Sequence, residues 1–135
     1  LDFCFVEVMS EVRKKILIVD DEQDIRNVCA AIIDRYFDLQ IFCAGSIAEA
    51  KNIAEQEQPD YAILDLHLPD GVGFDLVPFL KAANDKLRFL IVTAYNHCVE
   101  KSKAADLGAE KLLAKPFKSK DLKMEVEQMT GTVNG

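Results

Sequence analysis

The 135 residues are half hydrophobic and carry 23 acidic against 16 basic side chains, a formal net charge of −7. That length fits one domain, since ~100–150 residues suffice to bury a core. The acidic balance argues against direct nucleic-acid binding, which needs clustered Lys and Arg, and no apolar stretch approaches the ~18–20 residues of a membrane span.

Leu1 to Met9 is too short, and lacks the basic start, for a secretory signal. Met9 precedes the polar run Ser10 to Lys15 and is expected to be the natural start. Residues 1–13 are therefore expected to form a leader or disordered extension, 14–130 the domain and 131–135 a frayed tail.

From residue 15 onward apolar runs alternate with helical periodicity, the pattern of an α/β domain with a parallel sheet. The first strand is Ile16 to Val19, and the next helix presents Ile25, Val28, Cys29, Ile32, Ile33 and Tyr36 at steps of three and four. Leu39 to Ala44 is the second strand. Ser46 with Glu49 three residues later is a capping box opening a helix to about Gln56. Tyr61 to Leu64 is the third strand, and it delivers Asp65 into a loop that runs through Pro69, Gly71 and Gly73.

A helix over Phe74 to Ala83 follows, with Pro78 near its first turn, where a missing N–H costs least. Phe89 to Val92 is the fourth strand, closed by Thr93. The helix over Asn96 to Leu107 is the least apolar, with Val99 and Leu107 as its large hydrophobic residues. Leu112 to Ala114 is a short fifth strand before Lys115-Pro116-Phe117, and the last helix starts after Ser119 and buries Leu122, Val126 and Met129. The cysteines, at 4, 29, 43 and 98, have no metal-ligand spacing and read as buried or half-buried free thiols of a reducing cytoplasm.

In a doubly wound sheet, ligands bind beyond the carboxyl ends of the strands. Asp20, Asp21, Asp65, Thr93 and Lys115 all stand at such ends. Singly, each has a plain explanation: helix N-terminal charge, loop acid, strand-end hydroxyl, solvated amine. Together they place matched chemistry on four of five strand ends. Three converging carboxylates repel, so the site should either raise a pKa or recruit a cation, and Mg²⁺ suits hard oxygen donors and phosphate oxygens. An Asp beside such an ion can accept a phosphoryl group, Lys115 offsets the added charge, and the Thr93 hydroxyl can donate to a phosphoryl oxygen.

With Val19-Asp-Asp21, Leu64-Asp-Leu-His-Leu-Pro69, Asp70-Gly71, Val92-Thr-Ala94 and Lys115-Pro-Phe117, the chain resembles the receiver domain of bacterial response regulators over about Lys14 to Met129. The resemblance implies a CheY-like, flavodoxin-like fold: five parallel strands in the order 2-1-3-4-5 flanked by five helices. It implies that Asp65 is the phosphoacceptor, that Asp21 ligates Mg²⁺ directly and Asp20 mainly through water, and that the His67 carbonyl completes the shell. It further implies Thr93 as the switch hydroxyl, Lys115 as the phosphoryl partner and a cis bond before Pro116.

The implied partners are a sensor histidine kinase or histidine phosphotransfer protein and a downstream effector protein, met on residues 96–129, with the chain a monomer or weak dimer. The domain would catalyse only its own phosphorylation and dephosphorylation. Leu112 departs from the family, which usually carries Tyr or Phe at that position, so the signal from Thr93 must run differently. Tyr95 and His67 are expected to flank the phosphoryl group and shield it from water.

Rival readings remain. A haloacid-dehalogenase-like phosphatase needs an acid where His67 stands, and an FMN-binding flavodoxin needs a neutral phosphate loop where Asp20-Asp-Glu-Gln-Asp24 would repel an anion. A degenerate receiver used only for docking, or a receiver that is part of a longer regulator, would share all of these motifs.

Overall fold

The computed structural model describes residues 13–131, so Cys4 and most of the expected leader and tail lie outside the described residues. Five strands form one parallel sheet: β1 (Lys15–Val19), β2 (Gln40–Ala44), β3 (Tyr61–Leu64), β6 (Arg88–Thr93) and β7 (Lys111–Ala114), in the order β2-β1-β3-β6-β7. A two-residue hairpin, β4 (His67–Leu68) and β5 (Gly71–Val72), leaves the sheet after β3. Apart from that insertion the order is the doubly wound one expected. The crossover helices are α1 (Gln23–Tyr36), α2 (Ile47–Glu57), α3 (Leu76–Ala83), α4 (Cys98–Asp106) and α5 (Ser119–Thr130).

Strand alternation divides the core in two. Leu17, Val19, Ala62, Leu64, Phe89 and Ile91 face α2, α3 and α4, while Ile16, Ile18, Ile63, Leu90 and Val92 face α1 and α5. Both faces of the central strands are covered, which is why they read as continuous apolar runs rather than as alternating ones. Each fully buried Leu, Ile or Phe contributes about 1.5–3 kcal/mol relative to exposure.

Local chemistry sets the element ends. Ser46 accepts the Glu49 N–H at 3.2 Å, and the Glu49 carboxylate reaches back to the Gly45 N–H at 3.5 Å, one residue earlier than the reciprocal bond of an ideal capping box. Pro78 is the third residue of α3 and so falls within its first turn. A 3-10 turn over Gly73–Asp75 leads into α3, so the α-helix begins two residues later than the periodicity suggests. Gly131 ends α5 in the left-handed conformation, with φ 78.

Four side chains differ from expectation. Val28 is 42% exposed because the buried stripe of α1 runs through Cys29, Ile32 and Ile33. Cys43 and Cys98 are exposed, the first because β2 is the sheet's edge strand and the second because it opens α4; Cys29 is buried as expected. Val99 points outward at 76% exposure, so α4 is held mainly by Ala104 and the partly buried Leu107. Elements with so few buried contacts occupy the low-stability end of a fold.

Candidate functional site

The sheet ladder itself positions the site. The Asp20 N–H donates to the Ala44 carbonyl at 3.1 Å, the Asp65 N–H to Val19 at 2.9 Å and the Lys115 N–H to Thr93 at 2.9 Å. Each of these residues is thus the rung just past a strand's end, held by backbone bonds that no side-chain change removes. Because the strands are parallel, their last rungs share one edge.

At that edge Lys115 Nζ lies 2.7 Å from Asp20 Oδ2, 2.9 Å from Asp65 Oδ2 and 3.4 Å from Glu22 Oε1. Asp20 and Asp65 are buried; Glu22 is exposed. The second oxygen of each buried acid is also engaged. Asp65 Oδ1 accepts the Leu66 N–H at 2.7 Å and, more weakly, the His67 N–H at 3.4 Å, while Asp20 Oδ1 accepts the Glu22 N–H at 2.9 Å. The Asp20 carbonyl accepts from the Arg26 guanidinium at 2.6 Å.

These contacts oppose one another in their effect on protonation. Burial pushes the Asp20 carboxyl above its usual range, and the Lys115 hydrogen bond and the Glu22 N–H only partly offset that. Burial by itself would depress the Lys115 amine, yet its bonds to Asp20 and Asp65 prevail and hold it above its ordinary value. Lys115 is therefore a fixed positive charge among several negative ones.

Asp20, Asp21, Glu22 and Asp65 each offer a carboxylate oxygen, and those oxygens lie within 4.8 Å of one another. Opposite ligands of an octahedral Mg²⁺ at 2.0–2.1 Å are about 4.2 Å apart. The donor set, all hard oxygen and net negative even after Lys115, suits such an ion. Glu22 is the member that sequence reasoning missed, because an acid in that position reads equally well as a complement to the α1 dipole. Asp21 is exposed at the mouth of the cluster.

Thr93 is fully buried at the end of β6, and its hydroxyl oxygen accepts the Tyr95 N–H at 3.2 Å. The rings of His67 and Tyr95 stack on each other, centroids 4.5 Å apart and planes 20° apart. The Lys115–Pro116 peptide is cis, as the motif implies. Leu112 is half-buried against the core beside Ile91. Gly73 closes the loop behind Asp65: a Cβ on it would stand 2.0 Å from the Asp65 carbonyl oxygen.

The family model for the response regulator receiver domain matches residues 16–127. The chain belongs to that family. As a receiver domain it is 34% identical over 119 residues to the acid tolerance regulatory protein ActR of Rhizobium meliloti (strain 1021), covering 87% of this chain and 60% of ActR. It is 30% identical to sporulation initiation phosphotransferase F of Bacillus subtilis (strain 168), covering 85% of this chain and 92% of that protein. It matches the non-phosphorylated HemR receiver domain of Leptospira biflexa with a TM-score of 0.79 at 30% identity, covering 87% of this chain and 94% of that one. The receiver domain spans 60% or less of the length of the first curated relatives it matches. Receiver domains are signalling domains of two-component systems, and none of this one's described helices is long and apolar enough to cross a membrane.

Proposed function

We propose that Asp65 accepts a phosphoryl group from a phosphohistidine on a sensor kinase or phosphotransfer protein, and that the charge gained switches a surface read by a separate effector. The observation that carries this reading is the Lys115 amine bridging Asp20 and Asp65, with Asp21 and Glu22 beside them. In the transfer, an Asp65 oxygen forms the new P–O bond as the donor's P–N bond breaks, and the leaving imidazole keeps the electron pair. Lys115 balances the charge gained as a singly charged carboxylate becomes an acyl phosphate of roughly −2, and the Thr93 hydroxyl is the donor for a phosphoryl oxygen.

Asp21, Asp20 and Asp65, with the His67 carbonyl, are the residues assigned to Mg²⁺, and Glu22 adds a fifth group. When bound, Mg²⁺ would neutralise charge on the acids and on the phosphoryl oxygens. Asp20 already bonds Lys115 and the Glu22 N–H through its two oxygens, whereas Asp21 is exposed. That contrast supports direct ligation by Asp21 and water-mediated ligation by Asp20. Cytoplasmic residence belongs to the same reading, supported by the free thiols of Cys29, Cys43 and Cys98.

Incubation with MgCl₂ and acetyl phosphate, followed by intact-mass measurement, tests the proposal. A single phosphoryl adduct is expected, not formed when EDTA is present from the start and absent in Asp65→Asn. An adduct that survives in Asp65→Asn, or no adduct in the parent protein, would reject it in favour of a docking module independent of phosphorylation.

A further inference from the structure

A second feature lies beside the acid cluster, between the β4–β5 hairpin and α4. His67, Val72, Phe74, Tyr95, Val99 and Glu100 line a groove of about 280 Å³, with Lys103 at one side. Five large hydrophobic side chains are conspicuously exposed among the described residues, and three of them, Val72, Tyr95 and Val99, lie here. Apolar exposure concentrated in one place marks an interaction site more often than scattered exposure does.

The groove also holds an unpartnered polar atom. Glu100 Oε2 is buried and has no hydrogen-bond partner among the described groups. A buried carboxylate oxygen without a donor costs free energy, and a donor arriving from outside would recover it. Lys103, the cation lining the groove, rests over the Phe74 ring at 5.2 Å instead. The neighbouring acid cluster and the net charge of −7 also favour an incoming cation over an anion.

One wall of this groove is wired to the phosphoacceptor. The His67 N–H lies 3.4 Å from Asp65 Oδ1, and the Tyr95 N–H donates to the Thr93 hydroxyl at 3.2 Å. The two residues stack ring on ring. A change in the partners of Asp65 Oδ1 or Thr93 Oγ1 therefore pulls on one ring of the stack through its own backbone. The floor, by contrast, is held in place: Phe74 is buried in the core.

From this we infer that the groove is a docking surface for an effector segment presenting an apolar side chain next to a basic one, the basic group reaching Glu100. The His67–Tyr95 stack makes its affinity depend on the state of Asp65. The inference rests on the proposed phosphorylation of Asp65 and deepens it by naming where and by what chemistry the state is read. It also supplies an output route for a chain whose position 112 is leucine.

The test uses fluorescein-labelled peptides carrying Leu-Arg or Phe-Arg pairs, with Gln-for-Arg and Glu-for-Arg versions as controls, read by fluorescence anisotropy and by amide chemical-shift mapping. Beryllofluoride with MgCl₂, a phosphoryl mimic, sets the second state. Arginine peptides are expected to shift amides of residues 66–74 and 95–103 and to bind about tenfold or more weakly to Val99→Ser and Glu100→Lys. Val99 is exposed and Glu100 half-buried, so neither substitution opens the core, and a Met124→Ser control on α5 should bind as the parent does. Glu100→Lys should gain affinity for the Glu peptide.

Beryllofluoride should change the affinity at least about fivefold in the parent and leave it unchanged in Tyr95→Ala. No arginine peptide binding, or shifts confined to residues 111–129, would overturn the docking surface. An affinity that ignores beryllofluoride while the acetyl phosphate adduct forms would overturn the coupling and leave the phosphoacceptor reading standing. No adduct at all would remove both.

Discussion

Lys115 Nζ sits 2.7 Å from Asp20 Oδ2 and 2.9 Å from Asp65 Oδ2, so one ammonium extended from the end of β7 ties the ends of β1 and β3 together past the intervening β6. All three side chains are at least nine-tenths buried. Removing the amine leaves two buried carboxylates facing each other. Lys115→Met is expected to cost about 2–4 kcal/mol in urea unfolding without divalent ions, and millimolar MgCl₂ should return part of that loss. Unchanged stability would mean that the amine merely follows the acids and does not hold them.

The four carboxylates should not contribute equally to ion binding. Asp21 is exposed and assigned to direct ligation, while Glu22 is already within 3.4 Å of Lys115. Titration calorimetry with MgCl₂ is expected to show affinity falling about tenfold or more in Asp21→Asn and less in Glu22→Gln. The reverse order would reassign the direct ligand.

Gly73 is required by space, not by backbone conformation. A methyl group there would press on the Asp65 carbonyl oxygen from 2.0 Å, and that carbonyl is backbone with no rotamer to yield. Gly73→Ala should destabilise the fold by about 1–3 kcal/mol or more. It should also slow phosphorylation by acetyl phosphate by displacing Asp65, the proposed acceptor. A variant that folds and phosphorylates like the parent would show the hairpin to be more yielding than its packing suggests.

His67 and Tyr95, whose N–H groups reach Asp65 and Thr93, stack ring on ring. Loss of either ring should expose the acyl phosphate to water and shorten its half-life, as measured by quenched time points and mass spectrometry. Because each ring positions the other, Tyr95→Ala and His67→Ala should have similar effects, and the double variant should add little. Half-lives equal to the parent's in both single variants would dismiss the shielding role.

Cys29 supplies a pH prediction. Burial first, and then the Asp20 carboxylate, push its thiol from 9.0 up to about 12. The folded state keeps a proton that the unfolded chain gives up near 9, so stability linked to this thiol is complete below pH 9 and is lost as pH rises towards 12. Iodoacetamide at mildly alkaline pH should modify the exposed Cys43 and Cys98 in the native protein but spare Cys29 until urea is added. Cys29→Ala should flatten the alkaline decline; an unaltered slope would assign it to other groups.

Much of this fold was legible because a parallel sheet covered on both faces writes its strands as short apolar runs, and the site residues are the first polar groups after them. Val19 is followed by Asp20, Leu64 by Asp65 and Ala114 by Lys115, and the ladder keeps those neighbours on one edge. What escaped was set by contacts distant in the chain. The exposure of Cys43 depends on β2 being an edge strand. Val99 sits at a helical spacing suited to burial but faces water. Glu22 joins the acids only because Lys115 reaches it across 93 positions of sequence. The hairpin after β3 has two-residue strands, too short for any periodicity to reveal.

One further anchor has a consequence for this loop. Asp70, at the hairpin tip, accepts the Ile47 and Ala48 N–H groups at 2.8 and 2.9 Å, so its carboxylate caps the start of α2 from outside the helix. The segment from Asp65 to Asp70 is thereby pinned at both ends and acts as a ruler of fixed length. Adding or deleting one residue within it would force a choice between seating Asp65 and capping the helix, so loop length here is as constrained as residue identity.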